Sequence, residues 1–169
     1  MNQRAKELAA ALIRNFNSAA LETFSREPLY EGASARLALG TAARNLGATI
    51  DVLAPGKRGC PYHAHHAQEE MFVVLEGSGT LRVAGESLPV RAGDVVFIPP
   101  GPEYPHQFIN TSSAPLKYLS ISTKDSPEVV EYPDSGKFLA MASKQGAASP
   151  DFAVLHAKTE NLDYWHGEP

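Results

Sequence analysis

The chain has 169 residues and a formal net charge of −4, from 15 basic and 19 acidic side chains. This length allows one domain to bury a stable core without covalent staples, and a lone cysteine, Cys60, excludes an internal disulfide. Acidic and basic residues are interspersed, without the basic stripe of a nucleic-acid-binding protein, so we expect no nucleic-acid partner.

No segment reads as a membrane span or a secretion signal. Near the amino end, the apolar run 8–13 stops at Arg14, and it is too short for the core of a signal peptide. A single cysteine also fits a reducing compartment. We therefore expect a soluble, cytoplasmic protein with no membrane partner.

Residues 3–24 have the pattern of one amphipathic helix. Apolar side chains recur at intervals of three to four residues, at Leu8, Leu12, Phe16 and Ala19. Asn15 and Asn17 weaken the centre, which leaves two shorter helices as an alternative, and Pro28 ends the segment. We expect this helix to pack on the protein core or on a second subunit. A membrane-surface helix is the alternative, but the polar face carries few basic residues.

From Ser34 onwards the pattern changes to short apolar stretches separated by glycine-containing turns, which predicts an all-β fold with a closed barrel or two packed sheets. The runs 70–76, 106–110 and 116–122 are expected strands. Beyond residue 123, Val129, Val130 and Tyr132 are expected in an edge strand, and Phe138–Met141 in another.

The segment 59–77 carries side chains suited to a metal ion. His63 and His65 are two residues apart and therefore share one face of a strand, while Glu70 returns on the next strand. His106, far along the chain, is the expected fourth ligand. Imidazole and carboxylate ligands suit a divalent ion such as Zn, Fe, Mn, Ni or Co.

These residues give the chain a resemblance to the cupin superfamily, in particular to single-domain, cupin-2-like small barrels. The first cupin motif, G-x5-H-x-H-x3–4-E-x6-G, matches from His63 to Gly77, although Lys57 replaces its leading glycine. The second motif, G-x5-P-x-G-x2-H-x3-N, matches at four positions, with two extra residues before the histidine. Those positions are Gly93, Pro99, Gly101 and Asn110, and the histidine is His106. The resemblance covers roughly residues 45–122 and implies a jelly-roll β-barrel.

Several neighbouring residues are alternatives for the site. Glu69 is the alternative to Glu70 as the carboxylate ligand, and the six-residue spacing to Gly77 favours Glu70. His66 points away from His65 on a strand, so a supporting or surface role is expected. Cys60 is expected to be a small buried side chain, with redox sensitivity as the alternative. Asn110 is expected to secure a turn.

Alternation along the strands predicts a small-molecule pocket beside the metal. If Glu70 faces inward, so do Phe72 and Val74. Phe108 shares a face with His106, and Tyr104 lies in the proline-containing loop 102–105, which we expect to frame the entrance. The pocket-lining prediction is therefore Phe72, Val74, Phe108 and Tyr104.

The expected function is that of a metal-binding cupin, an oxygenase or an isomerase or lyase acting on a small anionic or sugar-like metabolite. A non-catalytic binding or sensing module is the alternative, and a purely structural metal is a third reading, because cupins span all of these. No catalytic side chain beyond the ligands is identified.

Three parts are expected along the chain. They are an N-terminal helical extension (1–33), a cupin barrel (34–123) and a C-terminal extension (124–169) that packs on the barrel or on a partner. A small jelly roll leaves sheet edges and apolar outer faces that need cover. The expected partners are therefore a small-molecule ligand and a second copy of the chain, in a homodimer.

Overall fold

Thirteen strands, one α-helix and two short 3₁₀ turns make up the part of the chain that the computed structural model describes, residues 1–144, 149–158 and 161–168. The helix and strands, in chain order, are α1 Gln3–Leu12, β1 Glu22–Arg26, β2 Tyr30–Arg36, β3 Leu46–Leu53, β4 Ala64–His65, β5 Glu70–Glu76, β6 Ser78–Val83, β7 Glu86–Arg91, β8 Val95–Ile98, β9 His106–Ile109, β10 Leu116–Thr123, β11 Glu128–Tyr132, β12 Lys137–Ala142 and β13 Phe152–Ala157.

The strands form two facing layers. One layer is a six-stranded sheet in the order β1-β2-β3-β10-β5-β8. The other consists of the sheets β7-β6-β9 and β4-β11-β12-β13, which meet where His63 and His106 form an antiparallel backbone bridge. The named strand pairs are antiparallel, and the all-β double-sheet fold with an N-terminal helix is confirmed.

An aromatic core fills the space between the layers. Phe72 from β5, Phe108 from β9 and Tyr118 from β10 are all buried. The rings of Phe108 and Tyr118 stack with centroids 4.6 Å apart. Burying one such side chain stabilises a fold by about 1.5–3 kcal/mol, so this cluster holds together the strands that carry the candidate ligands.

Gly77 makes the tight turn between β5 and β6. Its φ is +82°, and a Cβ atom at this position would collide with the backbone carbonyl of Pro115. Only glycine satisfies both conditions without strain. The glycine that ends the first motif is therefore required by the path of the backbone.

The helix prediction for residues 3–24 is correct at its start and wrong at its end. The helix stops at Leu12, Phe16–Ser18 is a 3₁₀ turn, and Glu22–Arg26 is strand β1. The Arg14 side chain donates hydrogen bonds to the carbonyls of Ala10 and Ile13 and thereby caps the C-terminal end of the helix. The helix has no buried residue, and no helix among the described residues is long and apolar enough to cross a membrane.

The segment after residue 123 joins the second layer. Strand β11 pairs with β12 on one side and with β4 on the other, so the expectation of an edge strand there is wrong. Phe138–Met141 lies within β12, as predicted. The three-part division of the chain stays a prediction, although β2 crosses its first boundary and β1 lies in the part expected to be helical.

Candidate metal centre

The candidate ligands come together from three separate parts of the chain. His63 and His106 exchange both backbone hydrogen bonds of their bridge, with N–O distances of 3.2 and 2.7 Å. His65 lies in β4 and Glu70 opens β5, on the facing layer. The backbone pairing therefore places the imidazoles opposite the carboxylate across the core.

The side chains converge on Glu70. Its Oε2 atom lies 2.8 Å from Nε2 of His106 and 3.6 Å from Nε2 of His65. One ligand atom each from His63, Glu70 and His106 lies within 4.8 Å of the others, and this group can hold a metal ion. His65 stands next to this group rather than within it, although it contacts the same carboxylate oxygen.

The second ring nitrogen of each histidine faces an oxygen on the outer side of the site. Nδ1 lies 2.9 Å from the carbonyl of Pro61 in His63 and 3.2 Å from that of Tyr104 in His106. In His65, Nδ1 is buried without a hydrogen-bond partner, and Oε1 of Glu128 lies 3.8 Å away, beyond hydrogen-bond distance. The contacts of His63 and His106 hold imidazole rings with Nε2 directed at a metal, so these two ring orientations fit a ligand role.

Two atoms at the centre lack hydrogen bonds. Oε2 of Glu70 and Nε2 of His106 are buried without a hydrogen-bond partner, and their 2.8 Å contact is an ion pair only when the imidazole is protonated. A buried polar atom without a partner is costly. A cation between these atoms would satisfy both, so the residues fit a divalent ion.

The electrostatic setting favours neutral imidazoles at His63 and His65 and an ionised carboxylate at Glu70. Burial, with a smaller effect of His106, lowers the pKa of His63 to about 4, and burial also lowers the pKa of His65. Burial alone would raise the pKa of Glu70, but His106 and His65 outweigh it, and the pKa lies below its usual value. Neutral imidazole and ionised carboxylate are the protonation states that bind metals.

Glu128 supports the site from behind, and sequence reasoning missed it. This carboxylate is 1% exposed. It accepts hydrogen bonds from the backbone N–H groups of His66, Ala67 and Gln68, at 2.9, 3.2 and 2.7 Å in their shortest contacts. The loop between His65 and Glu70 is therefore anchored to a side chain 60 to 62 positions away, a link that the local sequence does not signal.

Glu69, His66 and Asn110 take their expected places, whereas Cys60 is half-buried and not fully buried as expected. Glu69 is exposed, and Nε2 of His66 contacts Oε1 of Glu131 at 2.9 Å, away from the centre. Burial raises the pKa of Cys60 to about 12, which keeps the thiol protonated and argues against redox sensitivity. Asn110 is buried and hydrogen-bonds the carbonyls of Leu53 and Ala114, so it secures a turn.

The four predicted pocket residues lie in different surroundings. Phe72, Val74 and Phe108 belong to the buried core cluster, and the Phe72 ring lies 5.6 Å from that of His106. Tyr104 is 43% exposed and lines a separate groove with residues of β6, β7 and β8. Only its backbone carbonyl reaches the centre, through His106.

A larger cavity of about 950 Å³ opens between the two layers. Arg36, Gly47 and Thr49 line it from the six-stranded sheet, while Glu128 and Met141 line it from the facing layer. Glu128 also approaches His65, so the cavity is one side chain away from the candidate metal centre.

Comparison with known proteins agrees with this architecture. Residues 49–122 match the family model of the cupin domain. The chain contains a cupin domain. The resemblance inferred from the two motifs is thereby confirmed, and the match ends where β10 ends, one residue short.

Two proteins of solved structure share most of this fold. A candidate sugar phosphate isomerase from Acidithiobacillus ferrooxidans superposes with a TM-score of 0.76 at 24% identity, covering 90% of this chain and 97% of that one. A sugar phosphate isomerase of the cupin superfamily from Silicibacter pomeroyi has a TM-score of 0.71 at 25% identity, covering 85% and 91%. At 24% identity, the similarity to the A. ferrooxidans protein shows the fold alone.

Sequence relatives match only about a third of this chain. An oxalate-binding protein of Thermotoga maritima is 32% identical over 59 residues, 35% of this chain and 47% of that protein. An uncharacterised protein of Methanocaldococcus jannaschii is 38% identical over 60 residues, 36% and 46% of the two chains. The match thus spans about half the length of these relatives.

Proposed function

We propose that this cupin is a metal-dependent enzyme in which His63, His65, Glu70 and His106 hold one divalent ion. The observation that carries this proposal is the pair of buried, unpaired atoms at the centre, Oε2 of Glu70 and Nε2 of His106. A site without an ion would leave both atoms unsatisfied, which is unfavourable.

The charge of the ligand set favours anionic ligands. Three neutral imidazoles and one carboxylate around a divalent ion leave a net charge near plus one. Four protein ligands leave open positions on an octahedral ion, enough for two substrate oxygens. We infer a chelating substrate such as a hydroxy acid, an oxo acid or a sugar derivative. Zn, Fe, Mn, Ni and Co all suit the ligand types.

The reaction class that we favour is isomerisation or the related lyase chemistry. A bound divalent ion supplies Lewis acidity toward a carbonyl oxygen. The carbonyls of Pro61 and Tyr104 orient His63 and His106, Glu128 anchors the backbone that follows His65, and the Phe72 ring beside His106 limits water at the centre. The sugar phosphate isomerase of S. pomeroyi superposes on 85% of this chain at 25% identity. This similarity supports an isomerase or lyase over an oxygenase.

A non-catalytic binding module is the second candidate. The T. maritima relative, 32% identical over 59 residues, is an oxalate-binding protein. A chelating two-carbon diacid would occupy the open metal positions without further contacts. In that case the site would bind a ligand and leave it unchanged.

Metal analysis followed by a turnover assay tests the proposal. The protein is purified without chelators or added metal, and its metal content is measured by mass spectrometry. It is then incubated with sugar phosphates and oxo acids, and products are followed by NMR, with oxygen uptake recorded in parallel. We expect about one divalent ion per chain and product formation without oxygen uptake. Stoichiometric metal without turnover favours the binding module, and absence of metal contradicts both.

A further inference from the structure

The six-stranded sheet carries a row of polar side chains that begins beside Phe72, the core residue whose ring lies 5.6 Å from that of His106. In the register of β5, β10, β3 and β2, Phe72 lies opposite Ser120, Ser120 opposite Thr49, and Thr49 opposite Arg36. Residues directly opposite each other in antiparallel strands project from the same face. Since Phe72 faces the core, the whole row faces the space between the layers.

A second row lies next to the first and begins at a candidate ligand. Glu70 pairs with Ser122, and Ser122 pairs with Gly47. A Cβ atom on Gly47 would lie 2.8 Å from Oγ of Ser122. The glycine therefore leaves the Ser122 hydroxyl uncovered on the side where Gly47 lines the cavity.

The hydroxyl groups on this face are available for a ligand. Thr49, Ser120 and Ser122 are partly buried, and their side chains make no hydrogen bond to any residue in the described part of the chain. They are not sealed from solvent either, since none of their oxygens is among the fully buried unpaired atoms. A ligand bearing hydroxyl groups would find three partners in sequence along the sheet.

The far end of the row is cationic. Arg36 lines the cavity and forms no ion pair with another described residue. Arg44, Lys124 and Lys144 also line the cavity. Two carboxylates line it as well, but Glu128 accepts from backbone N–H groups and Asp125 accepts from Thr123. In a chain of net charge −4, this is a local concentration of positive charge.

The distance between the two ends is set by the sheet. Strand β5 is separated from β2 by three strand spacings, which is about 14 Å. The Arg36 and Glu70 side chains shorten this span from both ends. The remaining gap suits a chain of several carbons, whereas a two-carbon diacid at the metal would leave the row and Arg36 untouched.

We propose that a hydroxylated metabolite lies lengthwise from the cavity to the metal centre, with its chelating oxygens at the metal centre, its hydroxyl groups along Ser122, Ser120 and Thr49, and a terminal phosphate at Arg36. Arg36 and Thr49 line the cavity, and the strand register places Ser120 and Ser122 between the cavity and β5. An arginine guanidinium is well suited to a phosphate because it donates two parallel hydrogen bonds. The inference rests on the proposed function, since it uses the metal centre as one end of the site. It specifies the substrate class as phosphorylated polyols or sugars.

Calorimetric titration of the metal-loaded protein at low salt tests this proposal with three probes, ribose 5-phosphate, ribose and oxalate. The variants are Arg36→Gln and, as a control of equal charge change, Arg91→Gln, an exposed arginine of β7 that does not line the cavity. We expect ribose 5-phosphate to bind about tenfold or more tightly than ribose to wild type and to Arg91→Gln. In Arg36→Gln that difference should disappear, while oxalate binding stays unchanged.

The outcomes separate this inference from the metal assignment. Equal binding of the two sugars to wild type, or an unchanged difference in Arg36→Gln, overturns the inference even when oxalate still binds. Conversely, an Arg36-dependent preference for the phosphorylated sugar in a protein that holds no metal supports the phosphate site and contradicts the proposed metal centre. A Thr49→Val variant tests the hydroxyl row, since it should weaken the binding of both sugars and leave the binding of oxalate unchanged.

Discussion

Nε2 of His106 and Oε2 of Glu70 lie 2.8 Å apart across the two layers of the barrel, and both are buried without a hydrogen-bond partner. His106 is held from behind by the carbonyl of Tyr104, at 3.2 Å from Nδ1. Two polar atoms brought this close without a hydrogen bond between them are arranged to share a third group, such as a metal ion bound to both.

Replacing either residue should abolish metal binding. In Glu70→Gln and His106→Ala, one metal ligand is lost and the remaining ligands form an incomplete set. The metal content should therefore fall to about a tenth or less of the wild-type value. Elemental analysis of protein purified without added metal measures this. His66→Ala is the matched control, because His66 contacts Glu131 instead of the centre. Full occupancy in both ligand variants would contradict the assignment.

Glu128 should stabilise the fold whether or not a metal is present. Glu128→Ala leaves the N–H groups of His66, Ala67 and Gln68 without their buried acceptor. We expect a loss of about 2–4 kcal/mol in the free energy of unfolding, measured by urea denaturation of metal-free protein. Glu131→Ala on the same strand removes only surface ion pairs and should cost about 1 kcal/mol or less. Equal effects of the two substitutions would rule out the anchoring role.

Asp51 should make the protein less stable as the pH rises. Burial raises the pKa of its carboxyl from 3.8 to about 7, so the folded state binds more protons than the unfolded state between these values. The stability contribution is therefore present at low pH and is lost as the pH increases to about 7. Asp51→Asn removes this dependence, and its advantage over wild type should grow by about 1–2 kcal/mol between pH 5 and 8, since Asp51 is only partly buried.

Urea unfolding of both proteins at pH 5 and pH 8 checks the Asp51 prediction. The exposed Asp163, changed to asparagine, is the control and should give the same stability difference at both values. A stability difference between Asp51→Asn and wild type that stays constant with pH would show that the carboxyl titrates normally.

The outer face of the six-stranded sheet is the surface we expect to pair two copies of the chain. Val95 and Phe97 on its edge strand β8 are 47% and 66% exposed, and they lie beside Val73 and Met71. Such an apolar edge needs cover. Light scattering at micromolar concentration should give the mass of a dimer, and Phe97→Glu should give that of a monomer. Phe152→Glu, on β13, should leave the dimer intact, and a monomeric wild type would contradict the expectation.

The local sequence predicted the elements whose signals lie in neighbouring residues. Strand β5 runs from Glu70 to Glu76 as expected, because alternation is a property of adjacent positions. The spacing of His63 and His65 likewise placed both imidazoles near the centre. The helix was predicted too long, since the apolar spacing continues past Leu12 while the backbone turns at Ile13, which is extended.

Contacts between distant segments were decided only by the tertiary structure. Glu128 lies in a strand that the sequence indicated, yet its role depends on β11 pairing with β4. The row from Phe72 through Ser120 and Thr49 to Arg36 depends on the registers of three strand pairs. A shift of one residue in any of them would turn those side chains to the other face. Ligand types and spacing are local properties of a sequence, whereas register is set by packing of the whole sheet.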